Sequence, residues 1–373
     1  MDRRSVGAVI LSAGRSSRQN GLKPALPIGP YTALEHCIQL FGRAGIEEVV
    51  VVLGHRREEL APLVQAAGAR TVVNPRYREG MFSSVQAGAA ALSPALRAFF
   101  VLPVDIPLVR DLTIDALLNA LCRQAEPDVL VPSCRGRSGH PPLLRDRLRG
   151  KIAAHDGTRG LRGVFDQCRA SLVEVPDPHV LIDIDTPEQY EKACRLWRRY
   201  GVPGPEEAEM VMEWALSGKP ETAGHSRAVF RLAWKLAEAV NAGAPGPQVD
   251  ADLVAAGALL HDIAKGEPDH ALRGAEMLKK WGYSDRLAEI VACHADWEPL
   301  EGAPVSEIEL VYLADKLVRG VRPGPLDARF QEKYERYADN PAARRGVLRR
   351  WEQARAVCRR VEQAAGRRIS EFL

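Results

Sequence analysis

No run of apolar residues in this 373-residue chain approaches the roughly 20 that a membrane-crossing helix needs, so no membrane partner is expected. Charge of one sign is missing as well. The chain has 51 Lys and Arg against 48 Asp and Glu, which removes the bulk electrostatic argument for nucleic acid or anionic lipid. Its 7 cysteines (37, 122, 134, 168, 194, 293, 358) include no Cys-x-x-Cys pair. Neither a disulfide framework nor a thiolate zinc site is expected, and the thiols read as reduced. Met1-Asp2-Arg3-Arg4-Ser5 runs straight into an apolar stretch without the features of a signal peptide. Internal repeats and low-complexity tracts are also lacking. These absences leave a globular protein expected in the cytoplasm, with a length that favours two domains.

What is present divides into two grammars. Up to residue 198, short apolar runs (7–11, 48–53, 71–73, 98–102, 128–131 and 180–184) alternate with helical patterns such as Leu34, Ile38, Phe41 and Ala44. Continuous apolar strands interleaved with amphipathic helices predict an α/β domain, a mainly parallel sheet covered on both faces. The stretch 198–207, RRYGVPGPEE, has the punctuation of a linker. Beyond it the pattern is all-α, with helices expected at 250–264, 270–281, 285–295, 305–319 and 341–366. The expected division is 1–198, a linker at 199–206, a helical domain at 207–320 and a helical extension at 321–373.

Directly after the first strand stands LSAGRSSRQNGLKPALPIG, residues 11–29. In an open parallel sheet, ligands bind beyond the carboxyl ends of the strands, near the switch in strand order. Leu11, Ser12, Ala13 and Gly14 allow close backbone approach with N–H groups available to an anion, and Arg15, Arg18 and Lys23 add positive charge. Asp105 follows one apolar run, and Asp183 and Asp185 follow another. Carboxylates at the mouth of an apolar sheet need cations or water, and such oxygens suit Mg²⁺ that also holds phosphates. Each could instead cap a helix, and Thr186-Pro187 after Asp185 does read as a helix start.

Loop, spacing and order resemble the molybdenum cofactor nucleotidyltransferase family, which has a glycosyltransferase-A-like, Rossmann-like fold. Leu11-Ser12-Ala13-Gly14, Arg18 and Lys23 stand at its motif positions. The stretches 74–88, 102–109, 139–144, 155–165 and 183–190 resemble its further blocks. Ala13 resembles the cytidylyltransferase branch, whereas Gln19-Asn20 replaces the usual Met-Gly. The resemblance implies that CTP gives a nucleotidyl group to a phosphorylated acceptor, molybdopterin, with release of pyrophosphate. Lys23 and Arg18 would cover the phosphates, and Asp105 with Asp183 or Asp185 would hold Mg²⁺. Asn74, Ser84 and His140 are candidates for nucleotide or acceptor contacts, although His140 could equally order the Pro141-Pro142 loop. A molybdoenzyme or maturation factor is the protein partner this would imply. A sugar-phosphate nucleotidyltransferase, or a nucleotide-binding module that regulates the second half, are the rival readings.

The second half contains His225, His261-Asp262, His270, His294 and Asp315, four of the positions drawn from only 9 histidines. His261 and Asp262 close an apolar helical stretch, and Asp315 lies inside another, where a carboxylate needs a partner. Neighbouring helical residues project about 100° apart, so the pair can flank one ion while other helices complete it. Mixed imidazole and carboxylate ligands suit Mn, Fe, Co, Ni or Zn better than Ca or Mg. This arrangement resembles the HD phosphohydrolase superfamily. The resemblance implies His225, His261, Asp262 and Asp315 as ligands, His270 and His294 as ligands of a second ion, and Lys265 as a phosphate-neutralising cation. Lys265 reads equally as a helix-end cation. The Arg-rich tail, 342–368, carries an apolar seam of Val347, Trp351, Ala354, Val357 and Val361. That seam predicts packing on the helical domain or on a second subunit rather than on nucleic acid.

Overall fold

The computed structural model describes residues 3–14, 22–243, 248–297 and 302–373. They form two compact units, Met1–Arg199 and Tyr200–Leu373.

In the first unit the main strands are β1 (Val6–Ser12), β2 (Glu48–Leu53), β3 (Arg70–Val73), β4 (Ala98–Pro103), β5 (Val129–Cys134), β6 (Leu143–Arg145) and β7 (Ala170–Glu174). Across the sheet they run β7-β5-β6-β4-β1-β2-β3, and a two-residue strand, Arg137–Ser138, pairs with β5. Only β6 and that short strand run antiparallel to their neighbours. Every residue of β1 and β4 is buried, as expected of central strands covered on both faces. The helices are α1 (Ala33–Arg43), α2 (Arg57–Ala66), α3 (Met81–Ala91), α4 (Asp111–Arg123), α5 (Arg149–Ala154), α6 (Gly160–Phe165) and α7 (Pro187–Arg198). Successive β1 side chains face opposite layers. Val9 and Leu11 pack in a core with Phe82, Val85 and Ala89 of α3, while α1 lies against β1 and brings Phe41 to 5.4 Å from Phe100. Capping boxes start α1 (Thr32, Glu35) and α7 (Thr186, Gln189), so Thr186 rather than Asp185 caps α7. The chain order places β2 and β3 on one side of β1 and β4 on the other. The switch point therefore lies beyond Ser12 and Pro103.

The stretch 180–184 is not the strand its apolar pattern predicts. A 3₁₀ turn at Pro178–Leu181 occupies its start. Pro178 has no N–H for a ladder, and the buried Asp177 carboxylate accepts from His179 N at 3.0 Å and, from the start of α4, from Arg110 N at 2.9 Å and Thr113 Oγ1 at 2.7 Å. Single backbone bonds then tether the segment, including Ile184 N to Asp105 O at 2.9 Å.

The second unit contains α8 (Pro205–Ala215), α9 (Pro220–Ala242), α10 (Ala251–Leu260), α11 (His270–Lys280), α12 (Asp285–Cys293), α13 (Glu307–Leu317), α14 (Leu326–Arg336) and α15 (Pro341–Ala365). Helix α10 is buried from Leu253 through Leu260 and packs against α8, α9, α12 and α13. The second unit is helical as expected, with one short addition. A two-residue hairpin pairs Val318–Arg319 with Arg322–Pro323, because Gly320 (φ 58°) turns the chain straight after α13. The seam of α15 packs against α9, α13 and α14 of its own unit, with Trp351 stacked 6.0 Å from Phe330. No described helix is long and apolar enough to cross a membrane.

Gly88 lets α3 sit close to the sheet: a Cβ there would lie 2.3 Å from Val9 Cγ1 and 2.9 Å from Val52 Cγ2. We expect Gly88→Ala to destabilise the first unit by about 1–3 kcal/mol despite the better helix propensity of alanine. Thermal unfolding, with hydrogen exchange of the β1 and β2 amides, measures this. An unchanged or higher midpoint contradicts the tight packing of α3.

Candidate functional site

Each unit builds one chemically distinctive cavity. In the first, a cavity of about 370 Å³ lies at the switch point and is lined by Leu11, Ser12, Ala13 and Gly14 from the end of β1 and by Pro103, Val104 and Asp105 from the end of β4. Lys23 and Asp185 complete one side, and Tyr77, Gly80, Met81 and Ser84 another. Asp105 and Asp185 meet across Lys23, whose Nζ stands 2.5 Å from Asp185 Oδ1 and 3.8 Å from Asp105 Oδ2. Burial pushes the Asp105 carboxyl above its usual range; Lys23 opposes that rise, while Asp185 and Asp183 add to it. Ser12 Oγ is buried without a hydrogen-bond partner.

The start of α3 is the feature that residue-by-residue reading missed. Gly80, at φ 110°, turns the chain into α3 without any side-chain cap, and Gly80, Met81 and Ser84 all line the cavity. A helix N-terminus presents N–H groups and a positive dipole end to an anion. Gly80 was the available signal, at the entry to the helical run 81–91.

Several sequence candidates play other parts. Asn74 is buried outside the lining and donates to Ser83 Oγ (2.8 Å) and Ser84 Oγ (3.0 Å), so it orients the first turn of α3. Asp183 also lies off the lining and accepts from Gln189 Nε2. His140 is likewise outside the cavity; its N donates to Val180 O at 3.0 Å, and burial lowers its imidazole pKa. Arg15, Arg18, Gln19 and Asn20 lie outside the described residues.

In the second unit a cavity of about 690 Å³ includes His225, Asp262, Lys265, His270, His294 and Asp315 among its lining residues. His225 comes from α9, His261 and Asp262 from the end of α10, His270 from the start of α11, His294 from the end of α12 and Asp315 from α13. Two groups have ligand atoms lying within 4.8 Å of one another: His225, His261 and Asp262, and Asp262, His270 and His294. They share Asp262. Asp315 joins through His225, with Nε2 3.1 Å from Oδ1.

Second-layer contacts set the ring orientations. His261 Nδ1 lies 2.8 Å from Ala258 O, and His294 Nδ1 lies 2.6 Å from Val291 O. With Nδ1 donating to these carbonyls, each ring is held so that its Nε2 faces the cluster. His261 Nε2 is buried and has no hydrogen-bond partner, as a ligand atom awaiting an ion would be. Burial raises the Asp262 carboxyl pKa, but the His261 and His294 rings and Lys265 outweigh it and hold the group far below the usual range. Asp315 is also held low: Lys316, His225, His261 and Arg329 overcome its burial. Lys265 has a half-exposed side chain, with Nζ 3.1 Å from Asp262 Oδ2. The donor set fits a divalent transition metal. Lys316, whose Nζ stands 2.7 Å from Asp315 Oδ2, was missed in the sequence although it adjoins Asp315.

Comparison with known proteins adds the following. The MobA-like NTP transferase domain matches residues 8–172, and the HD domain matches residues 222–320. The chain is 25% identical over 191 residues to molybdenum cofactor cytidylyltransferase of Escherichia coli, covering 50% of this chain and 94% of that one. It is 30% identical over 198 residues to nicotine blue oxidoreductase of Paenarthrobacter nicotinovorans, covering 49% of this chain and 94% of that one. Against the bifunctional protein GlmU of Syntrophomonas wolfei the identity is 30% over 145 residues, 38% of this chain but only 32% of that protein's length. Relatives with such different names tie the domain to a class rather than to one acceptor.

The raised Asp105 pKa has a pH signature. A carboxyl raised on folding penalises the folded state once it ionises: the penalty is absent below its ordinary value of 3.8, grows as pH rises, and is complete above the folded value. Asp105→Asn should therefore raise the thermal midpoint of the metal-free first unit at pH 7, with the gain shrinking toward pH 4. A lower midpoint for the variant at pH 7 would contradict the stated electrostatics.

Proposed function

Because the chain belongs to the MobA-like NTP transferase family through its first unit and carries an HD domain in its second, it is a two-domain enzyme, and we propose that it joins cytidylyl transfer to phosphoester hydrolysis. The observation that carries the first half is the meeting of Asp105 and Asp185 across Lys23, beside the uncapped start of α3. In this reading the triphosphate of CTP lies along Ser12–Gly14 and the α3 N-terminus, with Lys23 neutralising its charge. Arg18, which lies outside the described residues, would join Lys23 by its place in the same sequence motif. A phosphate oxygen of the acceptor, molybdopterin, attacks the α-phosphorus; the bond to the bridging oxygen breaks, and pyrophosphate leaves with that electron pair. The work of the side chains is positioning and charge neutralisation. Asp105 and Asp185 would hold Mg²⁺, which supplies screening of the phosphate charge.

In the second unit, His225, His261, Asp262 and Asp315 would hold one divalent metal, and His270 and His294 would help to hold a second around the shared Asp262. Such ions supply activation of water at neutral pH. The substrate is a phosphate ester or anhydride. Water oxygen adds to phosphorus, the bond to the leaving oxygen breaks, and that oxygen takes a proton. Lys265 on the cavity wall neutralises the phosphate.

The two halves are tested separately in the full-length protein. Asp105→Ala should lower Mg²⁺-dependent pyrophosphate release from CTP and molybdopterin by about a hundredfold or more. It should leave hydrolysis of a phosphoester panel near wild type. His261→Ala should lower bound transition metal and hydrolysis together while pyrophosphate release persists. Release that is equal or faster with GTP contradicts the cytidylyl assignment. Hydrolysis that needs no metal contradicts the second half.

A further inference from the structure

The cavity of the second unit extends beyond the region matched by the HD domain. Its lining includes Arg329, Lys333 and Arg336 of α14 and Arg350 of α15, all C-terminal to residue 320. Positions 329, 333 and 336 follow the i, i+4, i+7 spacing of one helix face. These four cations are accompanied on that wall by one carboxylate, Glu332, which pairs with Arg319 and with Arg336 (3.0 Å). Arg329 ties the wall to the metal-ligand cluster, with Nη2 3.9 Å from Asp315 Oδ1 and Nη1 bonded to Val318 O at 2.9 Å. Among the described residues, the Lys333 ammonium and the Arg350 guanidinium form no ion pair or hydrogen bond. Burial at the wall, Arg329 and Lys316 all lower the Lys333 pKa. Of the four cations, Arg329 and Arg336 are thus paired with carboxylates, whereas Lys333 and Arg350 reach the cavity without an ion pair.

We infer that α14 and α15 form a second phosphate-binding subsite, so that this unit acts on a small molecule carrying at least two phosphoryl groups, of the nucleoside diphosphate kind. One phosphoryl group sits at the His/Asp cluster, and another is bound by Lys333 and Arg350. The volume of about 690 Å³ is in the range of sites for small organic ligands. Guanidinium and ammonium groups are the side chains that bind phosphate through charge-assisted hydrogen bonds. The carboxylates of the cavity do not cancel this charge: Asp262 and Asp315 belong to the ligand cluster, Glu332 and Asp296 are already paired with arginines, and Glu221 remains against the Lys333 and Arg350 pair. The inference rests on the phosphohydrolase reading of the same cavity.

The test uses the full-length protein carrying Lys333→Ala and Arg350→Ala together, with Lys333→Arg as the conservative control. Neither side chain is part of a packed core. With transition metal supplied, kcat/KM is measured for ADP and for p-nitrophenyl phosphate, which has one phosphoryl group. The ratio of ADP to p-nitrophenyl phosphate should fall about tenfold or more in the double variant, the size of one or two charge-assisted hydrogen bonds, and Lys333→Arg should retain it. In a second arm, calorimetry measures ADP binding to metal-free protein in a Lys23→Ala background, which weakens the nucleotide site of the first unit. The double variant should bind ADP about tenfold more weakly than its Lys23→Ala parent. An unchanged ratio or an unchanged affinity overturns the subsite. Wild-type protein that hydrolyses neither probe overturns the phosphohydrolase reading instead, and the affinity comparison still decides the subsite.

Discussion

Asp262 follows α10, a helix buried along its last eight residues from Leu253 to Leu260, and is itself nearly inaccessible. A carboxylate there must be surrounded by donors or cations, because an unpaired buried charge costs several kcal/mol or changes its protonation. The second unit is arranged around that requirement. Three helix ends deliver His261, His270 and His294 to it, and Lys265 reaches it from the cavity wall. Asp315 repeats the solution one step away with His225, Lys316 and Arg329. Such an assembly is costly as a purely structural device, since well-packed apolar residues would serve the fold as well. The same cluster brings together two groups of imidazole and carboxylate atoms spaced as a metal ion requires.

The first unit meets the same constraint with a sheet. The buried strands β1 and β4 end at one edge, where Ser12–Gly14 and Asp105 line the cavity. Lys23 and the uncapped start of α3 bring positive potential to that edge, and Asp105 and Asp185 answer it. In both units charge gathers where an apolar element ends, because there the chain must leave the core and its groups can reach a ligand.

Much of this was legible in the chain. Four-residue and longer apolar runs located β1, β2, β4 and β5, and the loss of alternation after residue 198 separated the helical half. His261-Asp262 and Asp315 stood out because polar residues interrupt apolar stretches. By contrast, β6 has only three residues, and β7 alternates between exposed and half-buried positions at the sheet edge, so neither leaves an apolar run to read. The segment 180–184 has the composition of a strand, but its Val180 and Ile182 N–H groups donate back to Asp177 O and His179 O in a 3₁₀ turn instead of to a ladder.

By itself, then, the sequence determined the class of each half and pointed to residue types that line the two cavities, since periodicity and the cost of burying charge are local properties. The tertiary structure decided which candidates share a cavity. It set Asp185 rather than Asp183 against Lys23, and it assigned Asn74 to orienting α3. It also brought Lys333 of α14 and Arg350 of the Arg-rich tail to the same cavity as the histidines. Those outcomes depend on packing between segments far apart in the chain, and a distance between two helices has no signature in the spacing of either one.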